Sequence, residues 1–197
     1  MGDGSKLFDM IAPDAGAPFA LLAAAEAGDE PRVASLLASE ADVNARDERG
    51  WSPLIMAAKE GHASLLQLLL AAGALPNPPD VSHTALRGAA MFGHSGCIRL
   101  LAEARAEVDQ RSAGGRTPLM GAELHGHAQA LGLLLRVGAA ADLTNDAGET
   151  AAALAESRGH GQALAVLRGE EAEPYTAQVA IVRAGRALVV PANSSGV

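Results

Sequence analysis

The chain has 197 residues and a formal net charge of -8, without any run of Lys or Arg, which argues against binding to nucleic-acid phosphates. Its residues are 49% hydrophobic but only 3% aromatic, so a core has to be built from Ala, Leu and Val, as between closely packed helices. The single cysteine, Cys97, cannot form an internal disulfide, which is typical of a reducing compartment. We therefore expect an all-α protein in the cytoplasm, with the nucleus as the alternative.

The first 17 residues carry a short apolar group, Leu7, Phe8 and Ile11, among aspartates. This group is too brief and too acidic for a secretory signal or an organellar presequence. No stretch of the sequence reaches the roughly 20 apolar residues of a membrane span. We predict that residues 1–17 are an extension that caps the domain that follows them.

A dipeptide that begins with glycine then recurs at intervals of 33, 32, 33 and 33 residues; its copies are Gly28-Asp29, Gly61-His62, Gly93-His94, Gly126-His127 and Gly159-His160. Nine residues before the last four glycines stand Ser52, Thr84, Thr117 and Thr150. A hydroxyl there can cap the first free amides of a helix, and a left-handed glycine can end one. The pattern predicts a short helix before each glycine.

A second apolar-rich helix follows each glycine, as in residues 64–71 and 128–137. A loop of small residues, such as 73–77, then leads to a turn that contains glycine, such as 47–50. Isolated helices of this length are marginal in water, so packing between neighbouring units has to stabilise them. The repeating unit is therefore a helix–turn–helix followed by a short hairpin loop.

These motifs resemble the ankyrin repeat, whose pattern runs approximately D-x-x-G-x-T-P-L-H-x-A-A-x-x-G-H, then a second helix, then G-A-D-V-N. Residues 47–77 match it best, and the resemblance covers roughly residues 18–169. It implies a solenoid of stacked helix–turn–helix units. We assign the ankyrin-repeat domain to residues 18–170, with five repeats at about 18–48, 49–80, 81–113, 114–146 and 147–170.

Three departures from the family pattern carry expectations of their own. The histidine of T-P-L-H is absent from all five copies and is replaced by Leu22, Ile55, Arg87, Met120 and Ala153. The loop before Thr84 is one residue short and holds three prolines, which predicts a distorted third hairpin. Glu123 and Glu156 replace a small alanine, so we expect the last two interfaces between repeats to be looser.

The recurring histidines are not spaced to bind a metal ion together. His62, His94, His127 and His160 recur once per repeat, and stacked helices lie about 8–10 Å apart, whereas zinc needs its ligands at about 2 Å. We expect these histidines to stabilise turns, and the pair His125 and His127 has no further ligands to complete a metal site. Cys97 falls on the inward side of a second helix. With no phosphate-binding loop and no nucleophile motif, we expect no catalytic residue, metal or cofactor, and no enzyme activity.

The resemblance implies that a partner protein binds on a concave face, formed by the hairpin tips and the exposed side of the first helices. The side chains that we expect to contact it are Arg49, Trp51, Lys59, Glu60, His83, Met91, Phe92, Arg116, Leu124, His125 and Arg158. The four apolar members should form one patch ringed by basic residues, a composition typical of binding hot spots. The alternative is that Trp51 folds back onto its own hairpin and Phe92 packs between helices.

The function that this interpretation favours is a non-catalytic adaptor or scaffold that binds a partner protein on the concave face. Two alternatives stay open. One is a constitutive structural subunit of a larger multiprotein assembly, and the other is a regulatory subunit of an enzyme that acts in trans.

The repeat pattern ends after Leu167, and residues 171–197 form a C-terminal tail. Segments rich in Val and Ile flank Ala184-Gly185, which predicts a β-hairpin at 176–191. A lone hairpin is marginal in water. We therefore expect it to pack on the fifth repeat or on a partner, with disorder as the alternative.

Overall fold

The computed structural model of the protein describes residues 17–79 and 82–170. Ten α-helices follow one another within these ranges: α1 Ala17–Ala27, α2 Glu30–Ala38, α3 Pro53–Glu60, α4 Ala63–Ala71, α5 Ala85–Met91, α6 Ser95–Glu103, α7 Pro118–Glu123, α8 Ala128–Arg136, α9 Ala151–Arg158 and α10 Gly161–Arg168. A short 3₁₀ turn, Ala113–Gly115, precedes α7. The extension before residue 17 and the predicted hairpin at 176–191 lie outside the described residues.

The helices form five antiparallel pairs that stack as a solenoid, which confirms the predicted all-α fold. The first helix of each pair, from α1 to α9 in odd numbers, packs against the first helices of the neighbouring pairs, and each second helix packs behind its own partner. No helix in the described part of the chain is long and apolar enough to cross a membrane.

Four first helices begin at the hydroxyl residues that the sequence indicates. The side-chain oxygen of Thr84 accepts a hydrogen bond from the N–H of Arg87 at 3.1 Å, and that of Thr150 accepts one from the N–H of Ala153 at 3.2 Å. Ser52 and Thr117 cap α3 and α7 in the same way. Each cap satisfies an amide that has no partner within the helix, so the predicted helix starts are confirmed.

The core consists of one leucine near the start of the first helices and of aliphatic side chains along the second helices. Leu54, Leu86 and Leu119 are 1% exposed. The second helices contribute a further set of large aliphatic side chains with no exposed surface, which comprises Val33, Leu65, Leu66, Leu69, Ile98, Leu101, Leu131 and Leu134. Burying a leucine stabilises a fold by about 1.5 to 3 kcal/mol, so these contacts between neighbours supply what helices of six to eleven residues lack.

The histidine after each glycine binds the preceding repeat. The ring of His62 is 3.0 Å from the carbonyl oxygen of Glu26, and the ring of His94 is 2.9 Å from that of Lys59. His127 binds the backbone of Met91, and His160 lies 2.9 Å from the carbonyl oxygen of Glu123. The expected structural role is confirmed, but the bond ties one repeat to the last turn of the helix in the repeat before it.

The loops between repeats are joined by a second row of hydrogen bonds. The side chain of Asn44 accepts from the N–H of Leu75 at 2.9 Å, and Asp109 accepts from the N–H of Ala140 at 3.0 Å. Asn77 makes the equivalent bond to Glu107. These side chains occupy the last position of the G-A-D-V-N loop, so the repeating polar residue there is explained by a bond that crosses to the next repeat.

The departures from the repeat pattern have different outcomes. The tip of the third hairpin, Asp80 and Val81, lies outside the described residues. Glu123 is fully buried and forms an ion pair with Arg158, whereas Glu156 is exposed and lies 3.7 Å from Arg168. The first helices α7 and α9 contact each other less extensively than α3 and α5. The expectation is confirmed for the interface between the fourth and fifth repeats, which is bridged by an ion pair that the sequence does not predict. It is wrong for the interface between the third and fourth repeats, where α5 and α7 contact each other as extensively as α3 and α5 do.

Candidate partner-binding site

The site begins with a tight turn that fixes Arg49 and Trp51. One carboxylate oxygen of Asp47 accepts hydrogen bonds from the backbone N–H of Arg49 at 3.0 Å and of Trp51 at 2.8 Å. The other oxygen lies 3.0 Å from Nε of Arg49. Burial would raise the pKa of Asp47, but these hydrogen bonds outweigh it and hold the pKa below its usual value. Asp47 thus stays ionised and anchors the hairpin.

The indole ring of Trp51 lies at the centre of a cluster of cations and rings. The guanidinium carbon of Arg49 is 4.6 Å from the ring centroid, and the ammonium nitrogen of Lys59 is 5.2 Å from it. The ring of His83, from the next repeat, meets it edge to face at 5.4 Å. Each cation over a tryptophan ring contributes about 0.5 to 2 kcal/mol. The cluster therefore joins the second repeat to the third.

Phe92 extends the cluster toward the fourth repeat. The ammonium nitrogen of Lys59 is 5.7 Å from the Phe92 ring, so one lysine contacts two aromatic rings. On its other side, Phe92 stacks on His125 at 6.1 Å between ring centroids. We call the surface formed by Trp51, Lys59, Met91 and Phe92, with Arg49 and His83 at its edge, the tryptophan patch.

A pocket of about 160 Å³ opens within the tryptophan patch between the second and third repeats. Trp51, Ile55 and Lys59 form one wall, and the residues of the third repeat form the other: His83, Thr84, Arg87, Gly88, Met91 and Phe92. Ile55 and Arg87 are absent from the residues that we predicted to contact a partner. Both stand where the family pattern has its T-P-L-H histidine, and an arginine at that position is the signal that could have identified the pocket.

Two buried polar atoms of the residues that line this pocket lack partners. Nε1 of Trp51 and Nε of Arg87 are both buried, and neither has a hydrogen-bond partner among the described residues. Burial, and then the nearby charge of Arg116, lower the pKa of Arg87. Neither Arg87 nor Arg116 forms an ion pair within the ranges that the structure covers, whereas Arg49 pairs with Asp47 and Lys59 with Glu60. The residues around the pocket therefore supply two donors without partners and positive charge that no described carboxylate neutralises.

The other predicted residues lie at varied distances from this cluster. Leu124 is partly buried at the end of α7 and does not line the pocket. Arg116 does not line it either, but its charge lowers the pKa of Arg87, which does. Glu60 is exposed and pairs with Lys59 at the edge of the patch. Arg158 lies apart from the patch, with its guanidinium paired to Glu123. The predicted contact surface is thus continuous from Arg49 to His125 and does not reach the fifth repeat.

The alternative to an exposed patch is wrong for Phe92. Trp51 is partly buried against the core and contacts His83 of the third repeat, so its ring does not rest on its own hairpin alone. Phe92, however, is 40% exposed and does not pack between helices. Exposed large hydrophobic side chains on a continuous surface are typical of interaction sites.

The other residues considered as reactive or metal-binding groups, Cys97 and His127, are both affected by burial. Burial raises the pKa of the Cys97 thiol to about 11, which makes it unreactive at neutral pH. Burial and the nearby His125 lower the pKa of His127. Among residues 17–79 and 82–170, no group of three His, Cys, Asp or Glu side chains is arranged to hold a metal ion.

Comparison with known proteins agrees with this geometry. The family model for ankyrin repeats, which spans three copies, matches residues 20–112 and again residues 89–178. The chain belongs to the ankyrin-repeat family. Ankyrin repeats are generally protein–protein interaction modules and are typically non-catalytic, so a protein partner is indicated.

Several curated proteins are similar over part of the chain. The human mitochondrial disaggregase is 49% identical over 61 residues, which is 31% of this chain and 9% of that protein. The ankyrin repeat protein nuc-2 of Neurospora crassa is 41% identical over 86 residues, or 42% of this chain and 8% of that protein. Human ankyrin repeat and KH domain-containing protein 1 is 39% identical over 89 residues, covering 44% and 4%. The similarity thus spans less than a tenth of each relative's length.

Proposed function

We propose that this ankyrin-repeat chain is a non-catalytic adaptor that binds a segment of a partner protein on the tryptophan patch. The observation that carries the proposal is the continuous cluster from Arg49 through Trp51 and Lys59 to Phe92, which combines exposed aromatic surface with cations on the hairpin side of the stack. Trp and Arg are enriched among the residues that dominate binding energy. Trp51 is also the only tryptophan of the chain.

The aromatic residues are positioned by the second, third and fourth repeats together. Trp51 is held by the turn at Asp47, Phe92 is held between Lys59 and His125, and Met91 ends the helix between them. A surface assembled on stacked helices is largely preformed, so a partner segment gains affinity because little protein reorganisation is required. This supports reversible recognition of one segment.

The test is affinity capture with three forms of the chain. The patch variant Trp51→Ala with Phe92→Ala removes the aromatic surface, and the matched control Phe19→Ala with Leu75→Ala removes the two other large hydrophobic side chains that are exposed in the described residues. We expect the wild type and the control to retain the same partner and the patch variant to lose it. The patch variant should melt at a lower temperature than the other two forms, because Trp51 is partly buried against the core, so circular dichroism is used to confirm that all three forms are folded before capture.

High salt separates the proposal from its alternatives. A partner that the patch variant still retains at high salt would contradict the adaptor and favour a constitutive subunit of a larger assembly. A partner that is an enzyme, whose turnover changes only when the intact patch is present, would identify the chain as a regulatory subunit acting in trans.

A further inference from the structure

Resting on the proposed function, we propose that the pocket between Trp51 and Arg87 binds a carboxylate side chain, so that the partner segment is acidic. Arg87 lies in the first turn of α5, where its backbone N–H is capped by Thr84, and its side chain lines the pocket opposite Trp51. The partner segment presents an Asp or Glu to these two residues and an apolar side chain to Met91 and Phe92.

The first argument concerns hydrogen bonding. Buried polar groups in native proteins are nearly always hydrogen-bonded, yet Nε1 of Trp51 and Nε of Arg87 are buried donors without an acceptor among the described residues. Both atoms can only donate, so the group that would satisfy them is an acceptor, and the two side chains have to turn toward the pocket to reach it. A carboxylate accepts several hydrogen bonds at once, and its bonds to a guanidinium are about twice as strong as those between neutral groups.

The second argument concerns charge. The chain as a whole carries -8, yet the neighbourhood of the pocket collects Arg49, Lys59, Arg87 and Arg116. Asp47 and Glu60 neutralise the first two. The two remaining guanidiniums repel each other, and no carboxylate in the described ranges pairs with either. An acidic segment is repelled by the net charge of the chain and attracted by these guanidinium groups, which directs it to the pocket.

The third argument concerns space. The pocket volume of about 160 Å³ resembles that of cavities of about 150 Å³, which admit a molecule the size of benzene. One side chain therefore fits, but a folded element does not. A methyl group on Gly121 of the next repeat would lie 3.1 Å from Cγ of Arg87 and 3.3 Å from its carbonyl oxygen. Glycine within a helix is unfavourable by about 0.5 to 1 kcal/mol relative to alanine, and here it leaves room for the arginine stem.

Selection from a displayed library of short random peptides supplies the probe. Peptides enriched on the wild-type chain are synthesised with their acidic residue intact or changed to the amide, and binding is measured by fluorescence anisotropy to wild type, Arg87→Met and Trp51→Phe. Methionine keeps most of the arginine stem, and phenylalanine keeps a ring while removing the indole N–H. Arg99→Met is the matched control, since Arg99 lies on the second helix α6, away from the pocket.

We expect the enriched peptides to share an Asp or Glu beside an apolar residue. Changing that acid to its amide should weaken binding to the wild type by about ten- to a hundredfold, and binding to Arg87→Met by about threefold or less, because the two changes remove the same contact. Trp51→Phe should weaken binding of the acidic peptide by about three- to tenfold, and Arg99→Met should leave it unchanged.

Different results would overturn different claims. Peptides that require Phe92 and Trp51 but tolerate the amide equally in both proteins would refute carboxylate recognition and leave the adaptor proposal standing. Peptides that bind independently of the patch, or an absence of enriched peptides, would count against both. A phosphoserine peptide that binds more than about tenfold tighter than the glutamate peptide, with the same dependence on Arg87, would replace the carboxylate with a phosphate and so overturn this proposal.

Discussion

Two interfaces of the same stack each contain an arginine, and the surroundings of these two arginines are opposite. Between the second and third repeats, Arg87 lines an open pocket and has no carboxylate partner in the part of the chain that the structure describes. Between the fourth and fifth repeats, Arg158 reaches back to Glu123, a carboxylate with no exposed surface that also lies 3.1 Å from the ring of His160. Both interfaces join consecutive helix–turn–helix units, but the fourth-to-fifth interface places a carboxylate next to its arginine and the described part of the second-to-third interface does not.

The contrast distinguishes an arginine that stabilises the fold from an arginine that is available to bind another molecule. A buried carboxylate needs its cation, because removing one partner leaves a charge in a medium of low polarity. An arginine without a carboxylate partner can be replaced without leaving such a charge behind, and its pairing capacity remains for another molecule. The fourth-to-fifth interface therefore uses its arginine for cohesion, whereas the second-to-third interface keeps an arginine available.

The largest effect that tests this comparison is expected from a methyl group added at two glycines that lie against the histidines joining neighbouring repeats. Gly61 has φ +83°, and an added Cβ would lie 2.5 Å from the ring of His94, which is itself bonded to Lys59. Gly126 has φ +68°, but its Cβ would lie 3.3 Å from the ring of His160. Both alanines are strained by the left-handed backbone, by about 1 to 2 kcal/mol, and only the first also collides with the histidine.

We therefore expect Gly61→Ala to lower the free energy of unfolding by about 2 to 4 kcal/mol and Gly126→Ala by about 1 to 2 kcal/mol, measured by urea denaturation. Adding His94→Ala should recover part of the stability that Gly61→Ala loses, and it should recover none of the stability that Gly126→Ala loses. Equal losses of stability at the two glycines would show that the closer contact of Gly61 with His94, at the second-to-third interface, does not affect the free energy of unfolding.

The next effect compares the two arginines directly. Arg158→Met leaves Glu123 buried with only His160 beside it, and we expect a loss of about 1 to 3 kcal/mol in the free energy of unfolding. Arg87→Met removes no ion pair and keeps the apolar stem, so its effect should stay within about 1 kcal/mol in either direction. Adding Glu123→Ala should restore most of the loss caused by Arg158→Met. A similar loss at both arginines would contradict the proposed division of roles.

The smallest effect concerns pH at the pocket. Burial, and then the charges of Arg87 and Arg49, lower the pKa of His83, while Asp47 opposes them. Because the folded pKa lies below the unfolded one, the stability from neutral His83 is complete above the unfolded pKa of about 6.5 and is lost as the pH falls through the folded value. In Arg87→Met, His83 should titrate at a higher pH by NMR but still below its usual value, since burial remains. An unchanged titration would mean that Arg87 does not act on this ring.

The fold was predictable because its signals are local and recur. Thr84 caps a helix through a bond three residues along the chain, and Gly61 ends a helix through its own backbone dihedral angles. Such signals do not depend on the rest of the structure, and their recurrence in successive repeats defines a stack. The bonds from His62 and Asn44 to neighbouring repeats span 36 and 31 residues, and only their periodicity was visible.

The candidate site was only partly predictable. The positions of Trp51 and Phe92 on the hairpin side followed from the repeat register, and these two rings share one lysine, as a continuous patch requires. The pocket beneath them and the proposed role of Arg87 were missed, because the position normally holds a structural histidine and the arginine there was considered only as the loss of that histidine. Arg158 was grouped with the patch by register, although its own repeat interface holds it elsewhere.

The sequence by itself determined the helix starts, the helix ends and the order of the stack, because each depends on residues within one repeat. Only the tertiary structure decided which charges are neutralised, because Glu123 and Arg158 stand 35 residues apart and meet through the packing of two helices. It likewise decided that Trp51 and Arg87 face one pocket with unpartnered donors. Charge pairing depends on distances of a few ångströms, and those are set by packing between repeats.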